Sequence, residues 1–249
     1  MTVFIGRWCL GFFVILVVFG ARAVADVSVG IGRSVLVISN VEGQFGDTPP
    51  KRIAVNDDVV FSEDITTGPE AKTAIEFRDG STLEVGPGSV VRIDSFVFNP
   101  EQSLSKKALQ IGSGVFRYVS AFTTTDQNTE ISTPGGVLAI RGSVISGIVD
   151  PETPTFVYVG EGNARFTNDA GSTDMQAGHA IAVPTRTTPP MRPDAMPAPI
   201  AAQALQAIER RLPPPAMFGC DRMKTRPGCE TPVLPICYRS PSRPGWGAL

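Results

Sequence analysis

The sequence predicts an all-β body, a compact sandwich or short solenoid of many short strands, followed by a Pro-rich tail with one short helix. Three observations predict it. In TAIEFRDGSTLEV, residues 73–85, apolar and charged residues alternate at period two, which puts one set on a core face and the other in water. Asp79-Gly80 joins the two runs, a pair that tolerates the positive φ angles of a tight hairpin turn. Turn clusters then recur up to Val183, among them Thr67-Gly68-Pro69, Gly86-Pro87-Gly88, Gly112-Ser113-Gly114 and Thr133-Pro134-Gly135-Gly136.

Residues 1–25 read as a secretory signal peptide. Arg7 precedes an apolar stretch over 10–19, and Ala23-Val24-Ala25 supplies the small residues of a cleavage site before Asp26. That stretch is well short of the about 20 residues a spanning helix needs, so the membrane is expected to enter only through export. Arg22 is atypical in a cleavage region, and an uncleaved anchor is the alternative. The mature chain is therefore expected in the periplasm or outside the cell.

Charge divides what remains. Residues 26–183 carry 11 Lys or Arg against 20 Asp or Glu, a net of −9, while 184–249 carry 9 against 4, a net of +5. An acidic body and a basic tail imply two units with different surroundings. The body holds no cysteine and is long enough to bury a core without disulfides or metals.

Within the body, strands are expected at 34–37, 53–55, 59–61, 73–78, 82–85, 89–93, 109–111, 114–119, 130–132, 136–140, 143–149, 155–159, 163–166 and 179–183. Residues 184–199 are a Pro-rich linker with little to bury. Residues 200–212 form a short helix that shares Leu205, Ile208 and Leu212 on one face and ends at Pro213-Pro214-Pro215. Such a helix is too short to stand alone in water, so it must dock or fray. Residues 213–249 are a Pro- and Arg-rich tail with Cys220, Cys229 and Cys237, candidates for one disulfide that leaves an odd thiol.

Over about residues 32–183 the chain resembles a FecR-type domain. The resemblance rests on an ordered series: IAVNDDVVFSEDITTGPEAKTAIEFRDGSTLEVGPGSVVRI, then LQIGSGVFRYV, then ISTPGGVLAIRGSVISGIVD, then VYVGEGNARFTNDAGSTDMQAGHAIAV. Asn56 and Glu63 stand where turn glycines are usual in that family, and Ser143 stands for the threonine after Arg-Gly. The resemblance implies a non-enzymatic, exported binding or scaffold module of a Gram-negative envelope, with a protein or glycan partner. The regulators that name the family carry a cytoplasmic sigma-factor-binding segment before a membrane helix. A signal peptide takes that place here, which leaves sigma-factor control open.

No residue set points to catalysis. His179 is the single histidine and lies in a Gly-His turn, with no nucleophile or orienting acid suggested by a motif. Asp57-Asp58 and Glu63-Asp64 lack the spacing of a calcium loop and read as turn-forming or solvated acids. No cofactor or metal is expected. Asp79-Gly80 and Arg141-Gly142 read as architecture. Arg141 is expected partly buried, its guanidinium bonded to loop carbonyls or a carboxylate, with anion or glycan-carboxylate binding as the alternative. The basic tail reads as solvated by default, and export turns any contact it makes toward anionic envelope surfaces or the acidic body rather than nucleic acid. A carbohydrate-active enzyme on a β scaffold and an accessory of envelope signalling are the competing functions. Oligomeric state is not encoded legibly.

Overall fold

The computed structural model describes residues 30–102, 104–121, 126–191 and 198–213. The signal peptide expected at 1–25 and the cysteine-bearing tail from 214 onward, including Cys220, Cys229 and Cys237, lie outside the described residues.

Among the described residues, fourteen strands form one hydrogen-bonded sheet that folds back on itself in two layers. The first layer holds β1 (Gly30–Ile38), β4 (Asp58–Val60), β6 (Lys72–Phe77), β7 (Thr82–Val85) and β14 (Ala180–Val183). The second holds β2 (Val41–Phe45), β3 (Lys51–Arg52), β5 (Glu63–Thr67), β8 (Val90–Asn99), β10 (Asp126–Thr133) and β13 (Gly171–Gln176). Three long strands belong to both: β9 (Leu104–Val119), β11 (Gly136–Val149) and β12 (Thr155–Asn168). The first part of β9 lies between β8 and the parallel β10, and its last residues lie between β7 and β11. Likewise β11 pairs with β10 at its start and with β9 at its end. β12 begins beside β14 and ends beside β13.

One apolar core fills the space between the layers. Ile75, Phe77, Leu83, Phe116, Ile145 and Val157 come from the first layer, and Ile65, Val91, Ile93, Leu109, Ile131, Leu138 and Phe166 from the second. Phe77 and Phe96 stack across the gap at 5.8 Å between ring centroids. The all-β expectation therefore holds, and the pairing pattern is that of a sandwich whose strands switch sheets at bends.

Several strand boundaries differ from expectation, for one physical reason. The glycines at 112–114, 142 and 160–162 read as turns that separate short strands. They are bends inside β9, β11 and β12, where Gly114, Gly142 and Gly162 take φ of +106°, +60° and +75°. Backbone pairing continues on both sides of each bend. The strand expected at 53–55 is a turn in which Asn56 takes φ +71°. The second left-handed position is Ser62 (φ +60°) rather than Glu63, which begins β5.

Helix α1 (Ala198–Arg211) lies on the outer face of the first layer. Ile208, Leu212 and Ala204 pack against Val115, Phe156 and Ala180, so Ala204 rather than Leu205 completes the apolar face. The Lys72 ammonium donates to the carbonyls of Arg210 at 3.2 Å and Leu212 at 3.0 Å, which occupies acceptors the helix end leaves open. Among the described residues no helix is long and apolar enough to cross a membrane.

Candidate functional site

Asp79-Gly80 turns the chain between β6 and β7, and its aspartate reaches the core. Asp79 Oδ1 accepts hydrogen bonds from the Ser81 N–H at 3.0 Å and the Ser81 hydroxyl at 2.7 Å. Its Oδ2 accepts from the Ser105 hydroxyl and the Lys107 ammonium, both carried by β9. The Asp79 and Lys107 side chains are 1% and 0% exposed. The ammonium also faces the rings of Phe77 and Phe96, each at 5.2 Å, and Tyr118 at 5.8 Å. Burial pushes the Asp79 carboxyl up, but the Lys107 charge and the hydrogen bonds from Lys107, Ser105 and Ser81 outweigh it and hold the carboxyl below its ordinary value. This centre ties the β6–β7 hairpin to the second-layer part of β9.

Sequence reasoning found Asp79 and missed Lys107. The signal was present: Leu109 and Ile111 face the core, and stepping back by two along an alternating strand turns Lys107 and Ser105 inward.

Arg141-Gly142 lies where β11 bends from the second layer to the first. The Ser143 hydroxyl fastens the bend to β12: it donates to the Asn163 carbonyl at 2.6 Å and accepts the Asn163 N–H at 2.8 Å. Arg141 itself corrects the expectation of partial burial. Leu138 and Ile140 face the core, so alternation turns Ala139 and Arg141 outward, and Arg141 is exposed. Its guanidinium has no hydrogen-bond or carboxylate partner among the described residues.

Arg141 instead lines an open groove of about 650 Å³ on the outer face of the second layer. The register sets Arg141 beside Asn163 and Asn163 beside Gln176, while Ala139 lies beside Arg165 and Arg165 beside Asp174. Asn128 joins the lining from β10. Arg165 binds Asp174 in a bidentate pair, Nε to Oδ1 at 2.6 Å and Nη2 to Oδ2 at 2.9 Å. The hydrogen bonds from Arg165 hold the exposed Asp174 carboxyl below its ordinary value. The groove thus presents amides and a cation around a low alanine floor, and its one carboxylate is already engaged.

The remaining acids and the histidine have local roles. Asp57 accepts from the Ala54 N–H at 2.9 Å, Glu63 from the Val60 N–H at 3.0 Å, and Asp64 pairs with Arg92 at 2.8 Å. His179 Nδ1 accepts the Gln176 N–H at 3.1 Å within its turn. Among the described residues no three His, Cys, Asp or Glu side chains gather to hold a metal ion.

No curated protein matches the sequence. Two solved structures from Parabacteroides distasonis, each described as a candidate anti-sigma factor, are similar at 11% identity and a TM-score of 0.44. The likeness covers 51% of this chain and 57% of each of those chains, so this chain spans little more than half their length. The family model described as FecR protein matches residues 63–165, from the start of β5 into β12. That span includes Asp79-Gly80, Lys107 and Arg141-Gly142, and over it the chain carries a FecR domain.

Proposed function

We propose that the protein is a non-enzymatic, exported binding module of FecR type that serves envelope signalling through a protein or glycan partner. The observation that carries this reading is Arg141. Inside the stretch matched by the FecR family, an arginine without a partner among the described residues stands at the rim of an open polar groove. The backbone beneath this guanidinium is already paired on both sides, so a ligand has only the side chain left to order. The predicted leader over 1–25 supports a periplasmic or secreted setting.

The reading is tested by immobilising the mature chain from Asp26 and capturing partners from an envelope fraction. Two variants accompany it: Arg141→Ala, and a chain ending at Pro213, which keeps helix α1 and its packing. The expected result is one set of partners held by the wild type and the shortened chain and lost by Arg141→Ala. Loss on shortening alone would move the binding function to the tail.

A further inference from the structure

We infer that the groove on the second layer is a saccharide site for a glycan that carries isolated carboxylates, with Arg141 taking the carboxylate. The inference rests on the binding-module reading and names its ligand class.

Three features of the groove select that class. The first is the row that crosses it. Arg141, Asn163 and Gln176 occupy successive strands in register, about 4.8 Å apart as neighbouring strands are, and Asn128 adds another amide from β10. None of these side-chain amides makes a hydrogen bond among the described residues. An amide offers both donor and acceptor, which suits sugar hydroxyls that also do both. The planar guanidinium suits a carboxylate through two parallel N–H···O bonds.

The second feature is room. Ala139 leaves the floor low beside Arg141, and a methyl group placed on Gly142 would meet nothing within 4 Å. The bend therefore leaves the end of the groove beside Arg141 open. Arg165 and Asp174 satisfy each other at the rim, so they shape the wall without presenting a competing free charge.

The third feature discriminates against other polymers. An extended peptide gains affinity by adding to a sheet edge. Here β11 is paired with β10 and β12, and β12 with β11 and β13, so the strands that carry Arg141 and Asn163 offer no edge, and the open edge of β13 lies beyond Gln176. Recognition at Arg141 and Asn163 therefore comes from side chains, and the acidic peptide among the probes tests the β13 edge. A densely charged polyanion such as nucleic acid would meet a body of net charge −9 over residues 26–183. A glycan with single, spaced carboxylates meets one arginine and a neutral amide row.

The test is calorimetric titration of the full mature protein with defined probes. These are a trisaccharide with one galacturonate between two neutral galactoses, its methyl ester, the disaccharide of N-acetylglucosamine and N-acetylmuramic acid, inorganic phosphate and a short acidic peptide. The expected result is saturable binding of at least one of the two carboxylated saccharides. Binding should weaken about tenfold or more in Arg141→Ala, with partial recovery in Arg141→Lys, because one arm of the bidentate contact is worth about that factor. For the galacturonate trisaccharide, esterification should weaken binding similarly. Asn163→Ala should weaken saccharide binding while the melting temperature stays at the wild-type value. The inference is overturned if neither saccharide binds, if ester and acid bind alike, or if phosphate or the peptide binds as well as the saccharide. In that event, a partner captured from the envelope fraction through Arg141 would leave the binding-module reading standing. No Arg141-dependent capture would remove both.

Discussion

Gly162 faces Gly142 across the corner where β11 and β12 pass from one layer to the other. A methyl group on Gly162 would stand 2.4 Å from the Gly142 carbonyl oxygen and 2.5 Å from the Ser143 hydroxyl. The same group on Gly142 would meet nothing within 4 Å. Both residues take left-handed φ, yet only one is also enclosed by backbone. Gly142→Ala should therefore cost about 1–2 kcal/mol, the conformational strain alone. Gly162→Ala should cost more, about 3 kcal/mol, because the carbonyl at the corner must move as well. Urea unfolding of the two variants would check the order; equal losses would show that the corner yields freely.

The Asp79–Lys107 pair should behave as a unit. Asp79→Leu or Lys107→Met leaves one buried charged group without its partner and should cost about 3–5 kcal/mol. The double replacement Asp79→Leu with Lys107→Met should recover much of that loss, because no charge is then stranded between the aromatic rings. A double-mutant cycle in chemical denaturation measures the coupling. Additive losses would mean that the two side chains act separately.

Glu84 sets a pH dependence of opposite sign to that of Asp79. Burial pushes its carboxyl up from 4.5 to about 6, against the attraction of Arg117, whose Nη1 lies 3.3 Å away. The folded state therefore holds this proton more tightly than the unfolded chain does. Its contribution is fully present below about pH 4.5 and is lost as pH rises through about 6, by about 2 kcal/mol in all. Glu63, raised by burial, adds in the same direction. Asp79, held low, contributes stability that is lost only as pH falls below the ordinary carboxylate range. Urea midpoints measured between about pH 4.5 and pH 7.5 should fall with rising pH, and Glu84→Gln should flatten that slope.

Helix α1 should detach without unfolding the body. Ile208 is fully buried, and Ile208→Ala removes most of what the helix places on Phe156 and Val115, a loss of about 2–4 kcal/mol. Lys72→Ala should weaken the same end of the helix less, since the ammonium bonds are partly exposed. Faster amide exchange across 198–211 with unchanged exchange in β9 and β11 is the expected outcome. Matching acceleration in the strands would show that the helix is part of the core unit.

The fold was legible where local chemistry decides. Alternation over 73–85 and the Asp79-Gly80 turn are local, and β6 and β7 stand where the sequence places them. β13, with the sequence GSTDMQ, has no apolar alternation; it is a strand because β12 pairs with it. The glycines of the three long strands read as interruptions because positive φ looks the same in a turn and in a bend. At the site, the buried partner of Asp79 lies 28 residues away on β9, beyond any local pattern. Arg141 was singled out by its Arg-Gly context but assigned to the interior. Its parity with Ala139, opposite to Leu138 and Ile140, is what turns it outward.

β9, β11 and β12 each contribute backbone to both layers, which separates the unit of recognition from the unit of folding. The FecR match begins at β5 and stops within β12, so it leaves out β1, which pairs with both β6 and β4 in the first layer. It also leaves out β14 and the end of β12 that holds β13. A fragment cut to the matched residues would expose unpaired edges on both layers and part of a core built for the whole. Shuffling this module between proteins therefore requires the flanking strands to travel with it.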